Sequence, residues 1–339
     1  MEQKKIKLLN EAQEILPMVA PRQCPLEGTY AEVSLLAMLL VDKCQYHLPL
    51  YRQYQRLIDS GIKVSRSTLT SYFHRTADLL KPIEEALLSS IRAGGVTSID
   101  ETTLKVGLSA NKNKRQMHKG YLWVIYGMNH EIVFRYSATR NGSNANELLG
   151  EDYKGVLLTD GFSGYQSYDD RMTTIAHAIC WAHVRRKFFE ALESESALNA
   201  KKAIEFIRLA YEVERKLKAS NATPEEVLTV RGERTRRIID EFFVWLKECF
   251  VAESLLPTNL FTKAASYALK REKGLRVFLD NHAVPIDNNH EEREIRNVAM
   301  GRKNFMFCWT EIGAEYLSIV YSLMCSCKLQ DVNPYDYLV

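Results

Sequence analysis

Between residues 95 and 182 the chain changes texture, and that block limits what it can fold into. Short runs of β-branched and aromatic residues replace the longer helical patterns on either side. Val96-Thr-Ser-Ile-Asp100 is strand-like and is predicted to end on its carboxylate. Tyr121–Tyr126 and Ile132–Tyr136 flank Asn129-His130 and predict a hairpin. Asn144–Leu149 reads as a short helix. Val156-Leu-Leu-Thr-Asp160 is a second apolar strand closing on an Asp, and Thr174–Ala178 is a further strand candidate. Such a run of strands, a helix and more strands, enclosed by helical sequence, predicts an α/β fold.

The flanks are helical by pattern. Ala31–Tyr46 carries a dense apolar face, and the first ninety or so residues read as helices. Residues 50–75 have the outline of a helix-turn-helix: a helix ending at Gly61, a short turn, and Ser65 as cap of a second helix. That second helix would present Arg66, Ser67 and Thr68 to DNA; a plain helical hairpin has the same pattern. Residues 183–280 are helical again, with 19 Lys and Arg against 15 Asp and Glu, a balance suited to a solvated surface. Asn111–Lys119 reads as a polar, basic loop.

Across all 339 residues, 45 basic side chains face 42 acidic ones, so any nucleic-acid footprint must be local. Seven cysteines with no CxxC pair predict reduced thiols and a cytosolic setting. No apolar run is long enough to cross a bilayer, and no secretory leader follows Met1, so no membrane partner is expected.

Asp100 and Asp160 both end predicted strands, where a carboxylate faces a cleft, and Gly161 lets the chain turn behind the second. Glu292, on an amphipathic helix with Asn288 and Arg296 one turn to either side, is the best third carboxylate. Three carboxylates without a His or Cys cage suit Mg²⁺ or Mn²⁺, and two such ions serve phosphodiester chemistry. Cys180 and His183 lack a second pair at zinc spacing and read as support for the site.

Several ordered runs resemble the transposases of the insertion-sequence-66 family. They include His47-Leu-Pro-Leu-Tyr-Arg-Gln53, Asp100-Glu-Thr102, Gly120-Tyr-Leu-Trp123, Thr159-Asp-Gly-Phe-Ser-Gly-Tyr165, Cys180-Trp-Ala-His-Val-Arg-Arg-Lys-Phe188, Asp287-Asn-Asn289 with Glu292, and Gly301-Arg-Lys-Asn304. The resemblance implies a ribonuclease-H-like catalytic core, residues 93–182 and 281–339, interrupted by an α-helical insertion at 183–280 and preceded by an N-terminal helical region, 1–92. It implies that Asp100, Asp160 and Glu292 form an Asp-Asp-Glu site, catalytic and metal-holding, with Glu291 as the neighbour that could take the third place. Cys180, His183, Asn288 and Asn289 would support that site. Arg186, Arg296, Arg302, Lys303 and Asn304 would contact DNA.

The activity implied is metal-dependent cleavage at transposon ends and strand transfer, with two Mg²⁺ or Mn²⁺ ions. The partners implied are double-stranded terminal inverted repeats and target DNA, a second copy of the chain, and accessory proteins of the same element, in the bacterial cytoplasm at the nucleoid. Compared with the family, only about twenty residues precede the matching region and Cys24 has no partner at zinc spacing, so a form without the usual N-terminal zinc module is expected. Two other readings share these residues: a decayed, non-catalytic DNA-binding protein, and a ribonuclease-H-like nuclease.

Overall fold

The computed structural model describes residues 24–107, 117–161, 175–193, 196–252 and 257–339, with the backbone of two short strands nearer the N-terminus. Those strands, β1 (Lys5–Leu9) and β2 (Ile15–Val19), pair antiparallel. They correct the all-helical expectation for the first ninety residues; the alternation Lys5-Ile-Lys-Leu has the two-residue period of a strand. Most of the predicted basic loop, residues 111–116, lies outside the described residues, as do residues 162–165 of the run after Asp160, and Thr174.

Helices α1 (Val33–Cys44), α2 (Leu50–Asp59), α3 (Arg66–Leu79) and α4 (Lys81–Ala93) follow. Leu39, Leu57 and Leu69 knit the first three into one small core. Gln53 is fully buried and donates to the Leu39 and Leu48 carbonyls at 3.3 and 2.9 Å, which satisfies the sharp entry into α2. Ser65 caps α3 by accepting from Thr68 N at 3.0 Å, the role its sequence position predicts.

The sheet holds β3 (Val96–Gly107), β4 (Met117–Gly127), β5 (Glu131–Ser137), β6 (Val156–Thr159) and β7 (Ala176–Ile179) in the order β5-β4-β3-β6-β7. The pairs β3–β4 and β4–β5 are antiparallel; β3–β6 and β6–β7 are parallel. Helix α5 (Ser143–Leu149) crosses between the two halves. Strand alternation sends Leu122 and Val124 to one face, against α1, α3 and a long C-terminal helix, and Trp123 and Ile125 to the other, against α4 and α5.

The sequence expectation ended the first strand at Asp100. Instead β3 runs on to Gly107, because its antiparallel partner β4 stays paired along its whole length. The parallel partner β6 stops opposite Ser98, so one edge of β3 opens just before Asp100.

After β7 the chain enters α6 (Trp181–Glu190), α7 (Ala197–Ala219), α8 (Pro224–Val230), α9 (Arg236–Ala252), α10 (Leu260–Leu269) and α11 (Glu272–Asp280). Their aromatic core of Trp181, Phe188, Phe242, Phe243 and Phe261 is continuous with Val156, Leu158, Ala178 and Ile179 of the outer strands. The helices of 183–280 are therefore packed onto the sheet through one shared core.

Helix α12 (Asn289–Phe305) leads to α13 (Glu311–Leu329) and α14 (Pro334–Leu338). Buried Gly301 lets α12 approach α13: a Cβ there would lie 2.1 Å from the Tyr321 hydroxyl. Along α13, Ser326 accepts from Ile132 N (3.1 Å) and donates to Ile132 O (3.0 Å), while Ser322 accepts from Phe134 N (2.8 Å). Two hydroxyls one turn apart thus occupy the outer edge of β5. All seven cysteines are free thiols. Among the described residues, no helix is long and apolar enough to cross a membrane.

Removing the hydroxyls of Ser322 and Ser326 leaves buried N–H groups without acceptors. The double alanine variant should lose about 2–6 kcal/mol, at roughly 1–3 kcal/mol per orphaned donor, measured by urea unfolding. A loss below 1 kcal/mol would show that water satisfies this edge instead.

Candidate active site

The register of β3 and β6 pairs residues sixty apart: Val96 with Val156, Thr97 with Leu157, Ser98 with Leu158. Carried two residues further, it sets Asp100 beside Asp160, just where β6 gives way to the Gly161 turn. Two carboxylates on neighbouring strands repel each other. Burial pushes the Asp100 carboxyl up to about 7, and the charges of Glu101, Asp160 and Glu292 add to the rise. The Glu101 N–H, 2.7 Å from Asp100 Oδ1, works in the other direction. Glu101 itself pairs with Arg140.

Glu292 returns to these aspartates from far along the sequence. Trp181 N donates to Ile286 O at 3.1 Å, which ties the end of β7 to the lead into α12 and closes the excursion of 183–280. Trp181 Nε1 donates to Leu275 O at 2.8 Å and fastens the same corner to α11. Helix α12 then starts with Glu291 and Glu292 in its first turn, where the helix dipole favours acidic side chains. The two point different ways. Glu291 is fully buried next to Ser98 and Asn288; burial, with repulsion from Asp100, pushes its carboxyl well up. Glu292 stays partly open, with His183 Nε2 at 3.6 Å and Arg186 at 3.5 Å.

The predicted supporting residues collect at this corner. Cys180 is buried against the backbone of Asn288 and His183, and burial pushes its thiol up to about 12. Burial pushes the His183 imidazole down, toward the neutral form, and its Nδ1 is buried with no hydrogen-bond partner. Asn288 is wholly buried with both amide atoms unpartnered. Asn289 instead faces outward and bonds Asp287 Oδ2 at 2.6 Å.

The residues predicted to meet DNA are placed less uniformly. Arg296, Lys303 and Asn304 are exposed on α12. Arg302 turns back onto β3, donating to Thr102 Oγ1 at 3.0 Å and to the Thr103 carbonyl, and so occupies the strand edge that β6 leaves open. Arg186 lies against Glu292 at the carboxylates. Arg66, Ser67 and Thr68 sit far along the chain on α3; Arg66 is exposed and stacks over Tyr51 and Tyr54 at 4.8 and 5.3 Å. Ser67 and Thr68 are engaged with Ser65, each at 2.7 Å.

Two contacts at the site escape sequence reasoning. The Tyr267 hydroxyl donates to the Asp160 carbonyl, and Arg271 donates to the Gly161 carbonyl at 2.8 Å. Both residues come from the helical segment more than a hundred positions away, and no spacing rule links them to Asp160. Gly161 has φ +80°, and a Cβ there would lie 2.6 Å from Arg271 Nε. Only glycine satisfies the turn and this approach together.

Among the described residues, no three His, Cys, Asp or Glu side chains are gathered tightly enough to chelate one ion. The donor set nonetheless fits a hard divalent cation. It offers carboxylate oxygens in a corner where burial, with added repulsion from Glu101, Asp160 and Glu292, raises Asp100 to about 7, and a cation there would favour the charged form.

A raised carboxyl pKa makes the folded protein bind a proton more tightly than the unfolded chain does. The stability it contributes is full below about pH 4 and is lost as pH rises to about 7. In metal-free buffer, Asp100→Asn should therefore be more stable than wild type at pH 8, by up to about 4 kcal/mol for a shift near three pH units. The advantage should close by about pH 4, followed by urea midpoints at both values. A variant no more stable than wild type at pH 8 would mean that the carboxylates are not crowded.

Comparison with known proteins then fits this geometry. The family model described as "Transposase IS66 family" matches residues 28–316. Three relatives from Sinorhizobium fredii are each described as an uncharacterized protein. The protein y4qI is 32% identical over 344 residues, covering 96% of this chain and 61% of its own length. The protein y4jD is 28% identical over 327 residues, covering 92% and 62%, and y4hP is 27% identical over 328 residues, covering 90% and 58%. The chain thus spans about six-tenths of the length of the curated relatives it matches. With nearly all of its described sheet and helices inside the matched span, the chain belongs to the IS66 family of transposases.

Proposed function

We propose that the protein is a DNA transposase that cuts phosphodiesters at the ends of its element and joins the freed 3′-hydroxyl to target DNA. The observation that carries this reading is the register of β3 and β6, which sets Asp100 beside Asp160, with Glu292 returned to them by the Trp181–Ile286 hydrogen bond. The strand order β5-β4-β3-β6-β7, with three antiparallel strands followed by two parallel ones, supports a ribonuclease-H-like core. In this reading that core comprises 93–182 and 281–339, with 183–280 as an insertion and 1–92 as a DNA-binding region.

Asp100, Asp160 and Glu292 would hold the divalent cations, two Mg²⁺ or Mn²⁺. When bound, these supply Lewis-acid activation of the attacking oxygen and charge stabilisation at the leaving one. Asp100 must give up its proton for that role, which the cation's charge favours. Glu292 is the third carboxylate because its oxygens reach the open side of α12, whereas those of Glu291 are sealed inside. His183, 3.6 Å from Glu292, would help place it, and the exposed Arg186 pair is weak enough to yield. Tyr267 and Arg271 fix the backbone that carries Asp160.

Arg296, Lys303 and Asn304 would take phosphates near the site, and Arg66, Ser67 and Thr68 would meet the terminal repeats. Holding two ends at once calls for a homo-oligomer, with accessory proteins of the element where needed. Chromosomal targets put the reaction in the cytoplasm, at the nucleoid.

Purified protein incubated with labelled duplexes bearing the element's terminal sequence should nick at the element boundary in Mg²⁺ or Mn²⁺ and form joined products. EDTA, Asp160→Asn and Glu292→Gln should each lower the rate at least 10³-fold while leaving duplex binding within about threefold. Binding with no nicking in any metal would instead make the chain a non-catalytic DNA-binding protein. Nicking without joining would make it a nuclease.

A further inference from the structure

Beyond Asp100, strand β3 carries an arrangement that the carboxylate chemistry does not use. In the β3–β4 ladder Lys105 lies directly opposite Lys119, and both are exposed. Like charges in cross-strand register destabilise a sheet, so this pair costs the fold unless an anion sits between them. Lys303 joins them around a cavity of about 910 Å³ whose walls also include Arg302, Met306 and Phe307.

Among the described residues, none of the three lysines forms an ion pair. Lys119 rests over the Tyr121 ring at 5.5 Å, and Arg302 is held by Thr102 and Thr103. The nearby carboxylate of Glu311 is taken by the Tyr136 hydroxyl at 3.2 Å, with His118 at 3.7 Å.

The apolar wall is unusual as well. Met306 ends α12 in the left-handed region, φ +65°, where glycine is the favoured residue, yet it is 67% exposed. Its outward side chain adds an apolar wall to the cationic one. A cavity of this size, cationic on one side and apolar on the other, exceeds a single phosphate and matches a sugar–phosphate chain.

We infer that this groove carries the backbone of one DNA strand away from the cleavage site, with Lys105, Lys119 and Lys303 on its phosphates and Met306 and Phe307 against its sugars. The assignment rests on the transposase reading. Lys105 is five residues past Asp100, about 17 Å along an extended strand and on the opposite face of β3, so the DNA strand would cross the free edge beside Arg302. At about 3.4 Å per step, the lysine pair meets phosphates about five nucleotides from the scissile one.

The test is binding of a 30-base-pair duplex by fluorescence anisotropy across a salt series, with the triple variant Lys105→Ala/Lys119→Ala/Lys303→Ala beside wild type. Exposed Lys201→Ala on α7 serves as the off-site control. The slope of log affinity against log salt should fall by about 0.9 for each groove lysine removed, alike for every duplex sequence, and should stay unchanged for Lys201→Ala. Ethylation interference should mark phosphates four to six nucleotides from the nick in wild type and lose those marks in the variant. Melting temperature should not fall, since the lysines are exposed and the variant relieves the like-charge Lys105–Lys119 pair. If wild type binds and nicks DNA while the variant keeps its slope and its interference marks, the groove assignment falls and the transposase reading stands. If wild type neither binds nor nicks DNA, both fall together.

Discussion

The hydrogen bond from Trp181 N to Ile286 O is the contact on which the site depends. It closes an excursion of about a hundred residues and brings the chain back beside the strand it left. It works with the Arg302 contacts to Thr102 and Thr103, which hold the far end of α12 on β3, to set Glu292 near Asp100 and Asp160. The clasp is backed on both sides. Trp181 is wholly buried, packs at 5.6 Å on Phe242 of the inserted helices and bonds Leu275 through its indole N–H. Cys180 fills the gap against the Asn288 backbone. Because the helices of 183–280 share one core with β6 and β7, their packing and the placement of Glu292 are one structural problem.

The site stores electrostatic cost in the absence of metal. Asp100 keeps a proton until about pH 7, Glu291 is buried without a compensating charge, and Asn288 hides two unsatisfied amide atoms beside it. A fold selected for stability alone would fill this corner with apolar side chains. The grip of Tyr267 and Arg271 on the backbone of Asp160 and Gly161 has the same logic: charged groups that repel must be held from behind.

Much of the architecture is legible in the sequence, and the exceptions have physical causes. The texture change at Gly95, the hairpin around Asn129-His130 and the Ser65 cap all follow local rules that the structure obeys. The extension of β3 to Gly107 does not, because it depends on a partner strand and not on its own residues. The split between Glu291 and Glu292 is hidden for a different reason. The buried face of α12 runs through Glu291, Glu294, Val298 and Gly301, so its inward stripe is largely charged or featureless, and apolar periodicity cannot find it. Arg302 has the composition of a phosphate contact, yet its guanidinium is spent on Thr102 and Thr103, at a strand edge that only the sheet topology exposes.

The central claim is that Glu292, and not its buried neighbour, completes a cation site with the two aspartates. Mn²⁺ binding followed by electron paramagnetic resonance at pH 8 tests it without requiring DNA. Wild type and Glu291→Gln should bind Mn²⁺, whereas Asp160→Asn and Glu292→Gln should lose at least tenfold in affinity. Retained binding in Glu292→Gln with loss in Glu291→Gln would contradict the account and move the third ligand to the inner face of the helix.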